Sequence, residues 1–184
     1  NVDISLLLKA HIYLVFIGYV GITIMGMSLV LLPMFWLSHN FSWKPVQIAL
    51  YLITIGVILV AFSSLFNSYY LEQLGYALTI ISTALYVYQI YIIYNTRARA
   101  EKDIYFNSMY ISYIFLFISI ILGIGYGILK EEQLLLTLGW LLLFGYISLV
   151  IIGHLYKIIP FLVWFERFSP LVGKQKVPML ADMI

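Results

Sequence analysis

The stretch AHIYLVFIGYVGITIMGMSLVLLPMFWLSHNFSW, residues 10–43, carries no Asp, Glu, Lys or Arg. A helix that crosses a bilayer needs about 20 mostly apolar residues. Four more charge-free runs follow, at residues 45–71, 73–96, 104–129 and 133–156. Each is long enough for one crossing and none comfortably holds two. Charged residues make up 10% of the 184-residue chain and hydrophobic ones 64%. A soluble domain carries roughly 25% and 45–50%. The reading is an all-α, polytopic transmembrane bundle of about five helices. They are expected at residues 4–37, 46–66, 74–95, 105–129 and 134–168, in a single domain spanning 1–184. Strand alternation of the barrel kind is absent, and helices are the other way to satisfy backbone groups in lipid.

Turn residues punctuate the runs. Pro33 is expected to bend the end of the first helix, and Pro45 suits the first position of the second. Residues 67–73 read as a short loop with Tyr69 and Tyr70 at interface height. Residues 97–103 form the strongest charge cluster, and 130–133 a tight polar turn. Pro160 is a late kink in the fifth helix. Residues 169–184, with Pro170, Gly173 and Pro178, read as an extended cytoplasmic tail. The first residue is Asn, so the initiator and a leading segment are expected to lie ahead of it. The visible start has neither the basic n-region nor the small-residue cleavage site of a signal peptide.

Lys and Arg placement sets the expected orientation. With the N-terminus outside, Lys44, Arg97, Arg99, Lys102, Arg167, Lys174 and Lys176 fall inside and only Lys9 and Lys130 outside. Lys157, near the inner end of the fifth helix, is expected to snorkel inward. The location is then a multi-pass integral membrane protein, of a bacterial inner membrane. A net charge of +2 and the lack of a basic patch argue against nucleic acid. With no cysteine, disulfides, thiolate metal sites, iron–sulfur clusters and covalent haem attachment are excluded. Gly123, Gly125 and Gly127 read as a small-residue run for close helix packing.

The first and fifth helices echo one another at an offset of 127 residues. Gly18-Tyr19 matches Gly145-Tyr146, Ile24 matches Ile151, Gly26 matches Gly153, Pro33 matches Pro160, and Phe41-Ser42 matches Phe168-Ser169. The echo suggests a repeat of four helices with the fifth opening the next. It sets Met27 opposite His154.

Three histidines are the residues with chemistry to offer. His11 begins the pattern H-x6-G-x7-G-x6-P. A histidine in a membrane helix is costly unless paired, and imidazole suits iron, copper or zinc. The other reading of His11, beside Lys9, is a side chain at the water interface. His154 is either a ligand or a core histidine bonded to a backbone carbonyl or a Tyr. Met27 is either its partner in a His/Met site, a known haem ligation type, or a packing residue. His39 is a solvated loop residue.

The run His11–Gly18, with Met25-Gly26-Met27 and Leu32-Pro33-Met34-Phe35 after it, resembles a helix of the haem-copper oxidase catalytic subunits, the superfamily that includes nitric oxide reductases and related nitric-oxide-response proteins. The resemblance covers the first helix well, the fifth in part and the others hardly at all. It implies that His11 is an axial ligand of haem b, and it agrees with a four-helix repeat. The reducing centre of that superfamily needs several more histidines, and its His-Pro-Glu-Val-Tyr type motif is replaced here by Gly153-His154-Leu155-Tyr156. Haem binding is therefore implied, while catalysis is not. His154 lies about 20 residues into its helix, roughly 30 Å deeper than His11 at 1.5 Å per residue. The two cannot bind one iron on straight helices, so a second ligand for His11 must come from a symmetry mate or another subunit, or be lacking. Lys157 and Arg167 are candidates for haem propionates or lipid headgroups.

No Ser/His/Asp set, paired carboxylate, HExxH or P-loop occurs. The expected function is electron transfer or gas handling by a haem-b membrane protein, in a homo-oligomer or larger complex. The alternatives are a cofactor-free accessory subunit of a respiratory or transport complex, and a small metal-handling transporter using His and Met.

Overall fold

The computed structural model describes residues 4–98 and 103–179. Arg99 and Lys102, which entered the charge count, and the tail beyond residue 179 lie outside the described residues. Five helices are long and apolar enough to cross a membrane: α1 Ile4–Trp36, α2 Lys44–Phe66, α3 Tyr69–Asn95, α4 Ile104–Leu129 and α5 Glu132–Leu171. They fall into two compact units, Asn1–Arg99 with α1–α3 and Ala100–Ile184 with α4 and α5.

In the first unit α2 and α3 lie closest. A Cβ added to Gly56 would come within 2.8 Å of the Gly75 carbonyl oxygen, and one added to Gly75 within 2.8 Å of the Gly56 oxygen. The two backbones therefore touch, as small residues allow where lipid offers no hydrophobic drive. Gly123, Gly125 and Gly127 do not have this role. A Cβ at Gly123 or Gly125 meets only leucine methyls at 3.5 and 3.8 Å, and one at Gly127 meets nothing within 4 Å. The expected packing run belongs instead to isolated glycines on neighbouring helices.

Helix α3 starts at Tyr69, five residues before the expected 74. Asn67 takes the left-handed conformation (φ 48°) that ends α2, and Ser68 is extended (φ −102°, ψ 106°). That pair alone reverses the chain, because Asn tolerates the left-handed region better than most residues. Its buried face is polar, with Thr79, Ser82, Tyr86 and Gln89 recurring at helical spacing. Ser82 Oγ donates to the Ala49 carbonyl at 2.6 Å, and Ser28 and Tyr86 share a hydroxyl hydrogen bond at 2.5 Å. At the Trp36 end, Ser38 pairs with Arg97 in a single antiparallel bridge. The Arg97 guanidinium lies 3.8 Å from the Tyr94 ring centre.

In the second unit α4 covers one side of α5. Phe115 fills the space beside Gly145, Met109 that beside Gly153, and Ser108 Oγ donates to the Leu149 carbonyl at 2.9 Å. Helix α5 ends in a 3-10 turn, Ser169–Leu171, where the extended tail was expected to have begun. The Trp164 indole N–H donates to the Pro178 carbonyl at 2.8 Å, folding the segment beyond it back on α5.

Helices α1 and α5 each contain one wide, π-helical stretch, at Leu14–Gly21 and Leu141–Ile147. Such stretches are rare and mark functional sites more often than chance. Their first residues are 127 apart, the same offset as the sequence echo.

Candidate functional site

The π-helical stretch decides which side chains of α1 share a face. A plain α-helix turns 100° per residue, so three steps of four from His11 to Thr23 would swing the side chain about 120° around the axis. A wide turn holds more residues per revolution and takes up that drift. His11, Val15, Tyr19, Thr23, Met27 and Val30 accordingly form one stripe, and all six are exposed. Tyr19 is 74% exposed, Met27 54% and Val30 65%. Two of the three expected site residues, His11 and Met27, thus stand on one uncovered face of one helix. Gly26 flanks the stripe with nothing within 4 Å of an added Cβ.

His11 has no hydrogen-bond or ion-pair partner among the described residues. The opposite side of the same helix end is fully engaged. Lys9 pairs with Glu72, and the Tyr13 hydroxyl donates to Thr79 Oγ1 at 2.6 Å. The Tyr13 and Tyr76 rings lie 5.4 Å apart. These contacts hold the helix in rotation, so the bare position of His11 is set by the fold.

His154 lies in the second unit, in a different kind of setting. It is 7% exposed. Its Nδ1 lies 2.8 Å from the Val150 carbonyl oxygen, and since a carbonyl only accepts, Nδ1 carries the proton. In a neutral ring this leaves the lone pair on Nε2, the tautomer of many ligating histidines. The Tyr105 ring stands edge-on to it at 5.5 Å. This is the core arrangement that was one of the two readings of the residue.

One turn further along, Lys157 is 2% exposed and its Nζ lies 2.5 Å from Asp103 Oδ2. The expected snorkelling toward water does not occur, because α4 delivers a carboxylate to the ammonium inside the unit. Asp103 has a second task, accepting from the Phe106 N–H at 2.8 Å as the N-cap of α4. Lys157 is thereby occupied, which removes it from the candidates for a propionate or headgroup.

Gln89 is a buried polar residue that sequence reasoning missed. It is fully buried, and neither amide atom has a partner among the described residues. Gln89, one of two glutamines on α3, gives no sign of burial until its spacing from Thr79, Ser82 and Tyr86 is counted. Among the described residues no group of three or more His, Asp or Glu is placed to hold a metal ion. No family model matches the sequence, and neither a curated protein nor a solved structure matches it.

Proposed function

We propose that the chain is a haem-b-binding protein of the bacterial inner membrane, with its N-terminus outside, which transfers electrons or handles a gas. His11 is the residue that would hold the haem iron. The observation that carries the reading is an imidazole without a partner on the uncovered face of a membrane helix. A polar group there is costly unless something pairs with it, and an iron porphyrin would be such a partner. The fit is to one side of the group only. The first unit offers no second imidazole near His11, so any further protein ligand would come from elsewhere. When bound, the haem supplies a one-electron couple or a gas-binding iron. The chain's own part is to hold one face of it through His11 and to keep that helix from rotating through Tyr13, Thr79 and the Lys9–Glu72 pair. His154 ranks second as a ligand, since its Nε2 faces the interior of its own unit.

A second reading, a cofactor-free accessory subunit, is favoured by the long bare faces of α1 and α5. The reduced-minus-oxidised absorption spectrum of the purified protein separates the two. We expect b-type bands in the wild type, their loss in His11→Ala and their retention in His154→Ala. A colourless wild type, purified with haem supplied during expression, overturns the haem reading and leaves the accessory one.

A further inference from the structure

We infer that, independently of His11, the first unit carries a binding site for a primary ammonium group at the end where α2 turns into α3, and that a ligand enters it by taking the place of Lys9 on Glu72.

The site is a partly open pocket of about 140 Å³ between the start of α1 and the α2–α3 turn. An engineered cavity of roughly 150 Å³ takes up benzene, so this one suits a molecule of about six heavy atoms. Its walls are of two kinds. Leu6 and Tyr69 offer apolar surface, while Ser63, Ser64, Asn67 and Glu72 are polar. A mixed lining of this kind fits a short alkyl stem with one polar end.

The polar wall accepts rather than donates. Ser63 and Ser64 are 5% and 8% exposed. Each hydroxyl spends its hydrogen on the Val60 carbonyl, at 2.7 and 3.3 Å. A hydroxyl with its one hydrogen committed has only lone pairs left to offer. The Asn67 and Ser68 N–H groups are spent as well, both on the Ser63 carbonyl. Glu72 adds a carboxylate, which accepts about four hydrogen bonds. Helix α2 ends here and α3 begins here, so the negative end of one helix dipole stands beside the positive end of the other. Glu72 therefore sets the sign. A ligand that fits must bring both hydrogens and positive charge. An alkylammonium brings both, an anion lacks the charge, and a quaternary ammonium lacks the hydrogens.

The chain already makes this recognition once. Lys9 reaches across from α1 and its ammonium pairs with Glu72. The Lys9 side chain is 43% exposed and that of Glu72 18%. An ion pair near the surface is worth little, so Lys9 gives way to water at small cost. A ligand's ammonium inside the pocket meets the same carboxylate together with two buried hydroxyl oxygens. The exchange leaves the charge balance at Glu72 unchanged. It also removes a tie between α1 and α3, which couples occupancy of the pocket to the start of α1.

A primary ammonium comes from a free small amine or from the headgroup of phosphatidylethanolamine, and the choice of lipid separates the two. The purified chain is placed in nanodiscs of phosphatidylcholine, whose quaternary headgroup has no hydrogen to donate, and titrated calorimetrically with n-butylammonium. A dissociation constant on the order of 1 mM is expected for so small a ligand, with butanoate and n-butanol binding about tenfold more weakly or worse. Lys9→Met removes the internal competitor and keeps every lining residue; it is expected to tighten binding about two- to fivefold, a gain that a purely structural ion pair would not give. Glu72→Gln is expected to weaken binding about tenfold. In nanodiscs that include phosphatidylethanolamine, loss of butylammonium binding assigns the site to the lipid headgroup, and retained binding assigns it to a free amine. Butanol binding as tightly as butylammonium overturns the ammonium recognition. A Lys9→Met chain that binds no tighter than wild type overturns the exchange, and failure of both chains to bind overturns the site.

Discussion

Helices α1 and α5 begin one residue apart in the shared register, open into a wide turn at the same point, carry Pro33 and Pro160 at matching positions, and bury opposite sides. In α1 the buried side is Met25, Ser28, Leu29, Leu32 and Trp36. The counterparts of these in α5 are Ile152, Leu155, Tyr156, Ile159 and Val163, of which four are exposed and Tyr156 half-buried. In α5 the buried side is Val150, Gly153, His154 and Lys157. Local sequence sets the rod, its length and its phase. Which face is covered depends on whether the neighbour follows in the chain, as α2 and α3 follow α1, or precedes it, as α4 precedes α5.

The comparison can be broken most sharply at the wide turns. Inserting one residue after Val20 in α1 or after Leu142 in α5, where the wide turn already holds its extra residue, turns the N-terminal part of the helix by about 100°. In α1 that part carries buried Ala10 and the Tyr13–Thr79 bond, and the loss is expected to exceed about 4 kcal/mol, beyond the ordinary range for one change. In α5 the segment Glu132–Trp140 has no buried residue, and the expected loss is about 0.5–1 kcal/mol. Thermal melts in matched micelles read both, and equal losses would refute the asymmetry.

Next comes the ion pair of α5, whose lysine is buried where Lys9 of α1 is exposed. Asp103→Ala leaves Lys157 buried without its carboxylate and removes the cap of α4, with an expected cost of about 3–5 kcal/mol. Lys157→Met, which restores an apolar stem of similar length, is expected to cost far less, because Asp103 keeps its capping bond and more water. A smaller contrast is the glycine pair. Gly153→Leu drives a side chain into Met109 and Ser108 and is expected to cost about 1–3 kcal/mol by overpacking. Gly26→Leu meets nothing within the chain and is expected to leave its melting unchanged. The smallest effect has the opposite sign. Gln89→Met removes a buried amide without partners and is expected to stabilise the first unit by about 1 kcal/mol; a loss instead would show that the amide is bonded in the membrane.

The five long apolar helices were legible because charge and lipid exclude each other, so gaps between charges mark helices directly. The finer features were hidden for separate physical reasons. The start of α3 was masked by Glu72 and Gln73, which read as loop, although Asn67 and Ser68 alone make the turn. The Asp103–Lys157 pair joins residues far apart in sequence, and each alone resembles an interfacial charge. The glycine run on α4 matched a packing pattern, but glycine permits close approach without requiring it. The echo at 127 residues was visible as letters, and it proved to include a backbone feature, the wide turn, that no side chain announces. His11 was legible as a candidate; its bare face was not, since an unbroken helical projection sends it toward a different side.

That last point has a practical consequence for anyone scanning α1 by substitution or by spin label. The readout along Ile4–Trp36 will follow two waves rather than one. Each has the ordinary helical period, and the second lags the first by about one residue's rotation. Fitted as a single wave, the data would report weak periodicity and a helix exposed on all sides. Fitted on either side of residues 14–21, they would recover one continuous dry face and one continuous bare one.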